Sequence, residues 1–240
     1  MKNNSLHISI VIIGYNAGDI LNKSLESINN LIVKNHLVEV IYVDDGSADN
    51  SFEIFADYNL KFNKKQLKLN KNQGRSYARS EGIKIAGGEW ILFLNSNIIV
   101  EATLLLRYSE SMLNQNSYAY GGCINYSSID FVFEKYLNKS TRGIKKYKNN
   151  QNISYQNLLF SNCIIKKSVF DVIKLNLNLK YYGGEELDFA SKLEKKFPKM
   201  MTASTEAVAT RINFPDYKKH LYKLIEFGEL NLKYLDNQLK

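Results

Sequence analysis

The chain has few of the residues that build disulfide frameworks and metal sites. Only two of its 240 residues are cysteines, Cys123 and Cys163, and their spacing fits neither a disulfide framework nor a set of metal ligands. We therefore expect two small core residues in a protein of a reducing compartment, with the cytoplasm as the simplest location. The polar residues 2–4 lead into a strand instead of an apolar helix, so no signal peptide is expected.

Long apolar runs and two common binding signatures are missing as well. No segment reaches the roughly 20 apolar residues that a membrane-spanning helix needs. Gly14 and Gly18 do not form Gly-x-Gly-x-x-Gly after the first strand, which argues against a dinucleotide-dependent dehydrogenase. The net charge is +8, but no stacking platform or helix-turn-helix pattern accompanies it, so nucleic acid is not an expected partner.

The chain does contain alternating strand and helix patterns. Apolar runs at residues 8–13, 38–43 and 90–94 are typical of strands that are buried on both faces. Helices are predicted between them, the second from Arg75 to about Ala86. This order predicts an α/β fold in which a mainly parallel central sheet is flanked by helices, within one domain. Right-handed crossovers then place the loops after the strands at one carboxyl edge of the sheet.

Two polar segments fall at that predicted edge. Asp44 and Asp45 follow the second strand, and a carboxylate there could accept hydrogen bonds from N–H groups of a ligand. The same segment could instead form only a turn and a helix cap. Asn95-Ser96-Asn97 follows the third strand and offers neutral amide oxygens.

A known family shares these motifs in the same order. The segments that carry the likeness are Ile10 to Asn16, Val43-Asp44-Asp45-Gly46-Ser47, Asn72-x-Gly74-x-x-x-Ala78-Arg79 and Leu94-Asn95-Ser96-Asn97. They resemble the N-terminal half of family 2 glycosyltransferases with a GT-A fold. The likeness continues through residues 160–167 and through 183–189, which is similar to the family's Gly-Glu-Asp-x-Asp-Leu motif. It implies a GT-A domain over residues 1–215, and the amphipathic pattern of the residues outside the resemblance predicts a C-terminal helical tail over 216–240.

The resemblance implies roles for the residues that match its motifs. Glu186 aligns with the family's catalytic Asp as the general base of an inverting transfer, with Glu185 and Asp188 beside it. These three acids could equally stabilise only the dipole of their own helix. One of Arg75 and Arg79 is expected to reach a phosphate while the other pairs with an acid. The nucleotide site implied by the resemblance consists of Gly14, Tyr15, Asp44, Asp45, Arg75 and Arg79.

The main departure from the family is the triplet at 95–97. Relatives carry Asp-x-Asp there, which holds a divalent cation on the donor diphosphate. Asn95 and Asn97 cannot replace two negative charges, so we predict that Mg²⁺ or Mn²⁺ arrives with the donor, with weak or no dependence on metal, and we assign no metal ligand. Arg211 could neutralise the diphosphate instead, or it could be a surface residue at the end of the strand 203–210.

The predicted function is transfer of a sugar, most simply from a UDP-sugar, to a glycan or lipid-linked acceptor. The alternative is a non-catalytic nucleotide- or glycan-binding relative that acts as a partner subunit. The lysine-rich segments are either solvated loops or, for residues 135–148, a surface for lipid phosphates or an anionic glycan. A basic amphipathic helix is predicted from Tyr217 to Lys240; it would pack on the domain or on a second subunit, or would contact the cytoplasmic face of a membrane.

Overall fold

A mixed sheet of eight strands organises the residues that the computed structural model describes, which are 5–235 and 239. The strands are β1 (His7–Gly14), β2 (Leu37–Asp44), β3 (Asn63–Lys68), β4 (Trp90–Asn95), β5 (Ile98–Val100), β6 (Ala119–Ser128), β7 (Asn162–Lys166) and β8 (Met201–Phe214). The helices are α1 (Gly18–Asn29), α2 (Ser51–Asp57), α3 (Arg75–Ile85), α4 (Leu104–Asn114), α5 (Phe131–Leu137), α6 (Val169–Val172), α7 (Glu185–Lys196) and α8 (Tyr217–Glu226).

The strands lie in the order β3-β2-β1-β4-β7-β6-β8-β5. The first four are mutually parallel, as predicted from the strand–helix alternation. In the second half β7 runs antiparallel to both β4 and β6, β5 runs antiparallel to β8, and β6 is parallel to β8. The predicted α/β class is confirmed, and the sheet is more mixed than predicted because an apolar run fits either strand direction.

Burial on both faces explains the continuous apolar sequence of β1. Ile10 and Ile12 point into the core layer that contains Leu21 of α1, whereas Val11 and Ile13 point into the opposite layer with Ala78 of α3. Because side chains alternate along a strand, the consecutive residues 10–13 of β1 are all apolar, whereas the buried hydroxyl of Ser9 forms a hydrogen bond with Glu39. Both cysteines are free thiols buried in the layer that contains Val11, as predicted for small core residues.

The C-terminal tail departs from the single long helix that was predicted. Regular α-helix ends at Glu226, and a π-helical turn, Phe227–Asn231, and a 3-10 turn, Leu232–Tyr234, follow it. The last part of the predicted helix, residues 236–238 and 240, lies outside the described residues. The ring of Phe227 packs directly against Gly184, and Leu235 is buried beside it, so the tail is anchored on the loop before α7.

The apolar face of α8 is largely uncovered. Leu221, Leu224 and Ile225 are exposed, although their spacing predicted a packed face. Among the described residues, no helix combines the length and the apolar composition that a membrane span requires.

Candidate active site

A cleft of about 420 Å³ opens where β1 and β4 end at the carboxyl edge. This is the edge at which open α/β sheets bind ligands. The predicted site residues that line it are Gly14, Tyr15, Asp45, Arg75, Asn95, Asn97 and Arg211. Five further predicted residues do not line it, namely Asp44, Arg79, Glu185, Glu186 and Asp188. The structure therefore separates Asp45 from Asp44 and Arg75 from Arg79, and it leaves all three acids of α7 outside the lining.

Asp44 and Asp45 have different environments although they are adjacent. Asp44 is the last residue of β2, and Asp45 directly follows that strand. The carboxylate of Asp44 is fully buried and accepts hydrogen bonds from the backbone N–H, at 3.1 Å, and the hydroxyl of Ser47. The Ser47 hydroxyl oxygen in turn accepts from the backbone N–H of Asn16 at 2.8 Å. Asp44 thus holds the loop after β2 against the loop after β1 and does not reach the cleft.

Asp45 lines the cleft and fixes the start of α3. Its two carboxylate oxygens accept hydrogen bonds from the backbone N–H groups of Gln73 and Gly74, at 2.8 and 2.9 Å. Gly74 has a φ of 89°, a conformation that a side chain disfavours, so the turn into α3 depends on glycine at this position. Burial raises the pKa of Asp45 in spite of these two N–H donors. Asp45 therefore fixes the backbone just before Arg75, whose side chain extends into the cleft.

Arg75 and Arg79 meet the same carboxylate, at the N-terminus of α7. Oε1 of Glu185 lies 3.1 Å from Nε of Arg75 and 3.3 Å from Nη1 of Arg79. The side chain of Arg79 is fully buried, and it also donates from Nη2 to Oδ1 of Asn95 at 3.0 Å. Arg75 remains partly exposed and lines the cleft. Of the two arginines, only Arg75 is placed to meet a ligand.

The side chains of the Asn95-Ser96-Asn97 triplet are largely engaged in protein contacts. Oδ1 of Asn95 accepts from Arg79, while its amide donates to the Ser161 hydroxyl at 3.0 Å. The amide of Asn97 donates to the Ile212 carbonyl at 3.1 Å. The described residues contain no group of three or more His, Cys, Asp or Glu that could hold a metal ion. The residues of the triplet therefore do not fit a resident divalent cation, which requires several free, preferably anionic, oxygens.

The three acids at the start of α7 differ in their availability. Burial alone would raise the pKa of Glu185, but Arg75 and Arg79 outweigh burial and hold that pKa below its usual range. Asp188 is buried and lies 2.6 Å from the ammonium group of Lys192. Glu186 is half-buried, and its carboxylate has no hydrogen bond or ion pair within the described residues. Burial and then the charge of Glu185 raise the pKa of Glu186.

Two residues that the sequence did not single out also line the cleft, Tyr182 and Lys223. Cζ of Arg75 lies 4.8 Å and Nζ of Lys223 lies 5.4 Å from the centre of the Tyr182 ring. Tyr182 directly precedes the Gly183-Gly184 pair that opens the motif at 183–189. This position could have identified Tyr182 as a candidate site residue from the sequence. Lys223 lies on α8 among several similar lysines, and nothing in the sequence distinguishes it from them.

A mixed α/β sheet flanked by helices, with a cleft at the carboxyl edge of its parallel strands, is the arrangement of a GT-A fold. The structure of S. aureus TarS residues 1–349 in complex with UDP-GlcNAc matches 95% of this chain and 68% of that chain, with a TM-score of 0.68 and 17% identity. The structure of GalNAc-T7 with UDP, GalNAc and Mn²⁺ matches 90% of this chain and 45% of that chain, with a TM-score of 0.70 and 14% identity. At these identities the likeness shows the fold.

Sequence comparison identifies the family. The profile of glycosyl transferase family 2 matches residues 9–174, and the chain belongs to this family. A poly(ribitol-phosphate) beta-glucosyltransferase of Bacillus spizizenii is 38% identical over 119 residues, which are 48% of this chain and 19% of the relative. Glycosyltransferase GlyG of Streptococcus pneumoniae is 32% identical over 132 residues, or 54% of this chain and 43% of the relative. The chain thus spans less than half the length of these two relatives.

Proposed function

We propose that this protein transfers a sugar, with inversion at the anomeric carbon, from a UDP-sugar to a glycan or lipid-linked acceptor. The observation that carries the proposal is a cleft at the carboxyl edge of the sheet to which Arg75, Arg211 and Lys223 bring positive charge, with the unpaired carboxylate of Glu186 outside the lining but within electrostatic range of Arg75 and Arg211. Cations suit a diphosphate, and a free carboxylate suits a base.

A uridine nucleotide is the proposed donor moiety. Gly14 and the half-exposed ring of Tyr15 lie at the end of β1, and Asp45 lies beside them. An aromatic ring and a carboxylate can stack on and hydrogen-bond to a uracil base. The TarS and GalNAc-T7 structures contain UDP-GlcNAc and UDP, which supports the same donor class here.

Glu186 is the proposed general base. It takes the proton of the acceptor hydroxyl while that oxygen attacks the anomeric carbon, and the bond from this carbon to the diphosphate oxygen breaks to release UDP. Glu185 is unsuited to this role because two arginines stabilise its anionic carboxylate and so make it a weak proton acceptor. The raised pKa of Glu186 makes its carboxylate a better proton acceptor than an ordinary glutamate.

Arg75 and Arg211 are proposed to neutralise the leaving diphosphate. Both line the cleft, and Nε of Arg211 is buried without a hydrogen-bond partner. A fixed guanidinium can replace part of the charge that a metal supplies in Asp-x-Asp enzymes. We expect UDP affinity to survive chelator and to fall when Arg211 is changed to Ala. Complete loss of UDP binding in chelator would contradict this role.

The acceptor is proposed to approach from the side of α5. Phe131 and Val132 are largely exposed there, and Lys135, Lys139 and Arg142 follow within the next turns. A surface that combines apolar and basic groups suits the boundary of a membrane that contains anionic lipids. Vesicles with and without anionic lipid test this directly, since binding should require the anionic lipid and weaken in Lys135→Glu.

The test of the main proposal is Glu186→Gln, with Glu194→Gln on the same helix as the matched control. UDP release should be measured from UDP-glucose, UDP-galactose and UDP-GlcNAc in the presence of a glycan panel. We expect Glu186→Gln to lower turnover by about two to four decades with little change in UDP affinity, because only proton acceptance is removed. The wild-type rate should fall as pH drops through the raised pKa of Glu186.

Each other outcome has a distinct meaning. Unchanged turnover in Glu186→Gln would remove Glu186 from the chemistry. Binding of UDP-sugars with no UDP release from any donor would favour the non-catalytic alternative. Absence of binding to every UDP-sugar, measured by calorimetry, would overturn the donor proposal itself.

A further inference from the structure

Helix α8 brings a cation to the cleft from beyond the segment that the family profile matches. The profile ends at residue 174, whereas Lys223 lies on the eighth helix, and its side chain lines the cleft together with Arg75 and Arg211. The three residues come from three separate elements, α3, β8 and α8. Their convergence is therefore a product of the tertiary fold.

The charges of these three residues are only partly balanced by protein carboxylates. Arg75 pairs with Glu185 at 3.1 Å. Neither Arg211 nor Lys223 forms an ion pair with another described residue. Glu226, on the same helix as Lys223, attracts the charge of Lys223 electrostatically and opposes the lowering of its pKa. Partial burial and then repulsion by Arg211 and Arg75 lower the pKa of Lys223. Clustering like charges costs free energy, which an anionic ligand would recover.

We propose that Lys223 is a direct ligand of the donor diphosphate and forms its binding site together with Arg75 and Arg211. This inference rests on the proposed donor class and extends it to a residue of the C-terminal segment. A diphosphate presents several anionic oxygens and can accept hydrogen bonds from several cations at once. With Asn95 and Asn97 engaged in protein contacts, Lys223 supplies positive charge at the place where an Asp-x-Asp relative would use a metal.

The Tyr182 ring holds two of these cations in place before a ligand arrives. Arg75 and Lys223 both lie within cation–π distance of it, at 4.8 and 5.4 Å from the ring centre. The backbone of Tyr182 is in turn fixed by the tail, because the buried side chain of Asn231 donates to the carbonyls of Tyr182 and Gly183, at 3.4 and 2.9 Å. The tail thus supplies Lys223 and also supports the Tyr182 ring that orients this lysine. Because the lysine is already oriented, less side-chain entropy is lost when a ligand binds.

Calorimetric titration of Lys223→Gln tests the proposal with three probes: UDP, uridine and inorganic pyrophosphate, each in chelator. Removal of one charge–phosphate contact at a partly exposed site should weaken UDP and pyrophosphate binding by roughly fivefold to tenfold, and leave uridine binding unchanged. Lys223→Arg should retain most of the affinity. The matched control is Lys218→Gln, which removes an exposed lysine of the same helix that does not line the cleft, and it should bind UDP like the wild type.

The results that would overturn the proposal are distinguishable from one another. If the wild type binds UDP and Lys223→Gln binds it equally well, or loses uridine affinity to the same extent, the role of Lys223 is refuted while the proposed donor stands. If the wild type binds none of the three probes, the donor class and the role of Lys223 both fail. Equal weakening in Lys218→Gln would show a general effect of net charge and would likewise refute a direct contact.

Discussion

Replacing Glu185 with glutamine removes the carboxylate that faces two arginines in the interior. Oε1 of Glu185 lies 3.1 Å from Arg75 and 3.3 Å from Arg79, and the side chains of Glu185 and Arg79 are 1% and 0% exposed. Breaking a buried ion pair by removing one partner leaves an uncompensated charge, which typically costs 3–5 kcal/mol. Asn95 remains as a neutral acceptor for Arg79, so we expect the lower end, about 3 kcal/mol of unfolding free energy at neutral pH.

This loss of stability depends on pH because folding changes the pKa of Glu185. The pKa of Glu185 is lowered in the folded protein, so its contribution to stability is fully present above the pKa that the unfolded chain has, about 4.3 for a glutamate. The contribution is lost as pH falls through the lowered folded-state pKa, because the carboxylate is then protonated in both states. The stability difference between wild type and Glu185→Gln should therefore shrink in acid below the usual glutamate range.

Urea unfolding at a series of pH values measures both quantities. The matched control is Glu186→Gln, the same substitution at the next residue, where the carboxylate has no hydrogen bond or ion pair within the described residues. This control should change the unfolding free energy by less than about 1 kcal/mol while it lowers turnover. A loss below about 1 kcal/mol for Glu185→Gln, or a loss that stays constant into acid, would refute the buried-pair account.

The remaining predictions concern the edge of the sheet and the tail. Asp45→Asn should weaken uridine binding in calorimetry, whereas Asp44→Asn should lower the urea midpoint without changing uridine affinity; the reverse pattern would contradict the assignment of Asp45 to the cleft. Asn97→Asp should make UDP binding more dependent on Mn²⁺ than Asn95→Asp does, because a carboxylate at position 95 would pair with the buried Arg79. Equal effects of the two substitutions, in titrations with and without metal, would count against this. Asn231→Ala removes three hydrogen bonds to the loop before α7, so amide exchange over residues 181–184 should become faster and stability should fall by about 2 kcal/mol; unchanged exchange would show that the tail does not hold this loop.

The sequence by itself determined the α/β class and the ligand-binding edge. Strands buried on both faces require nearly continuous apolar residues, and β1, β2 and β4 meet that requirement, so they can be recognised without a structure. The edge follows from the order of strands and helices, because right-handed crossovers leave the loops after parallel strands on one side. The predicted clustering of Gly14, Asp45 and Asn97 at this edge is reproduced by the structure.

Only the tertiary structure decided which of Asp44 and Asp45, and which of Arg75 and Arg79, faces the cleft. Asp45 lines it while Asp44 ties two loops together, and Arg75 lines it while Arg79 is buried. A motif fixes residue types, but side-chain direction depends on the exact end of a strand or helix and on the element packed against it. Lys223 shows this most clearly. Its sequence context is that of any basic surface helix, and its place in the cleft exists because the chain after β8 folds back over the loop that carries Tyr182.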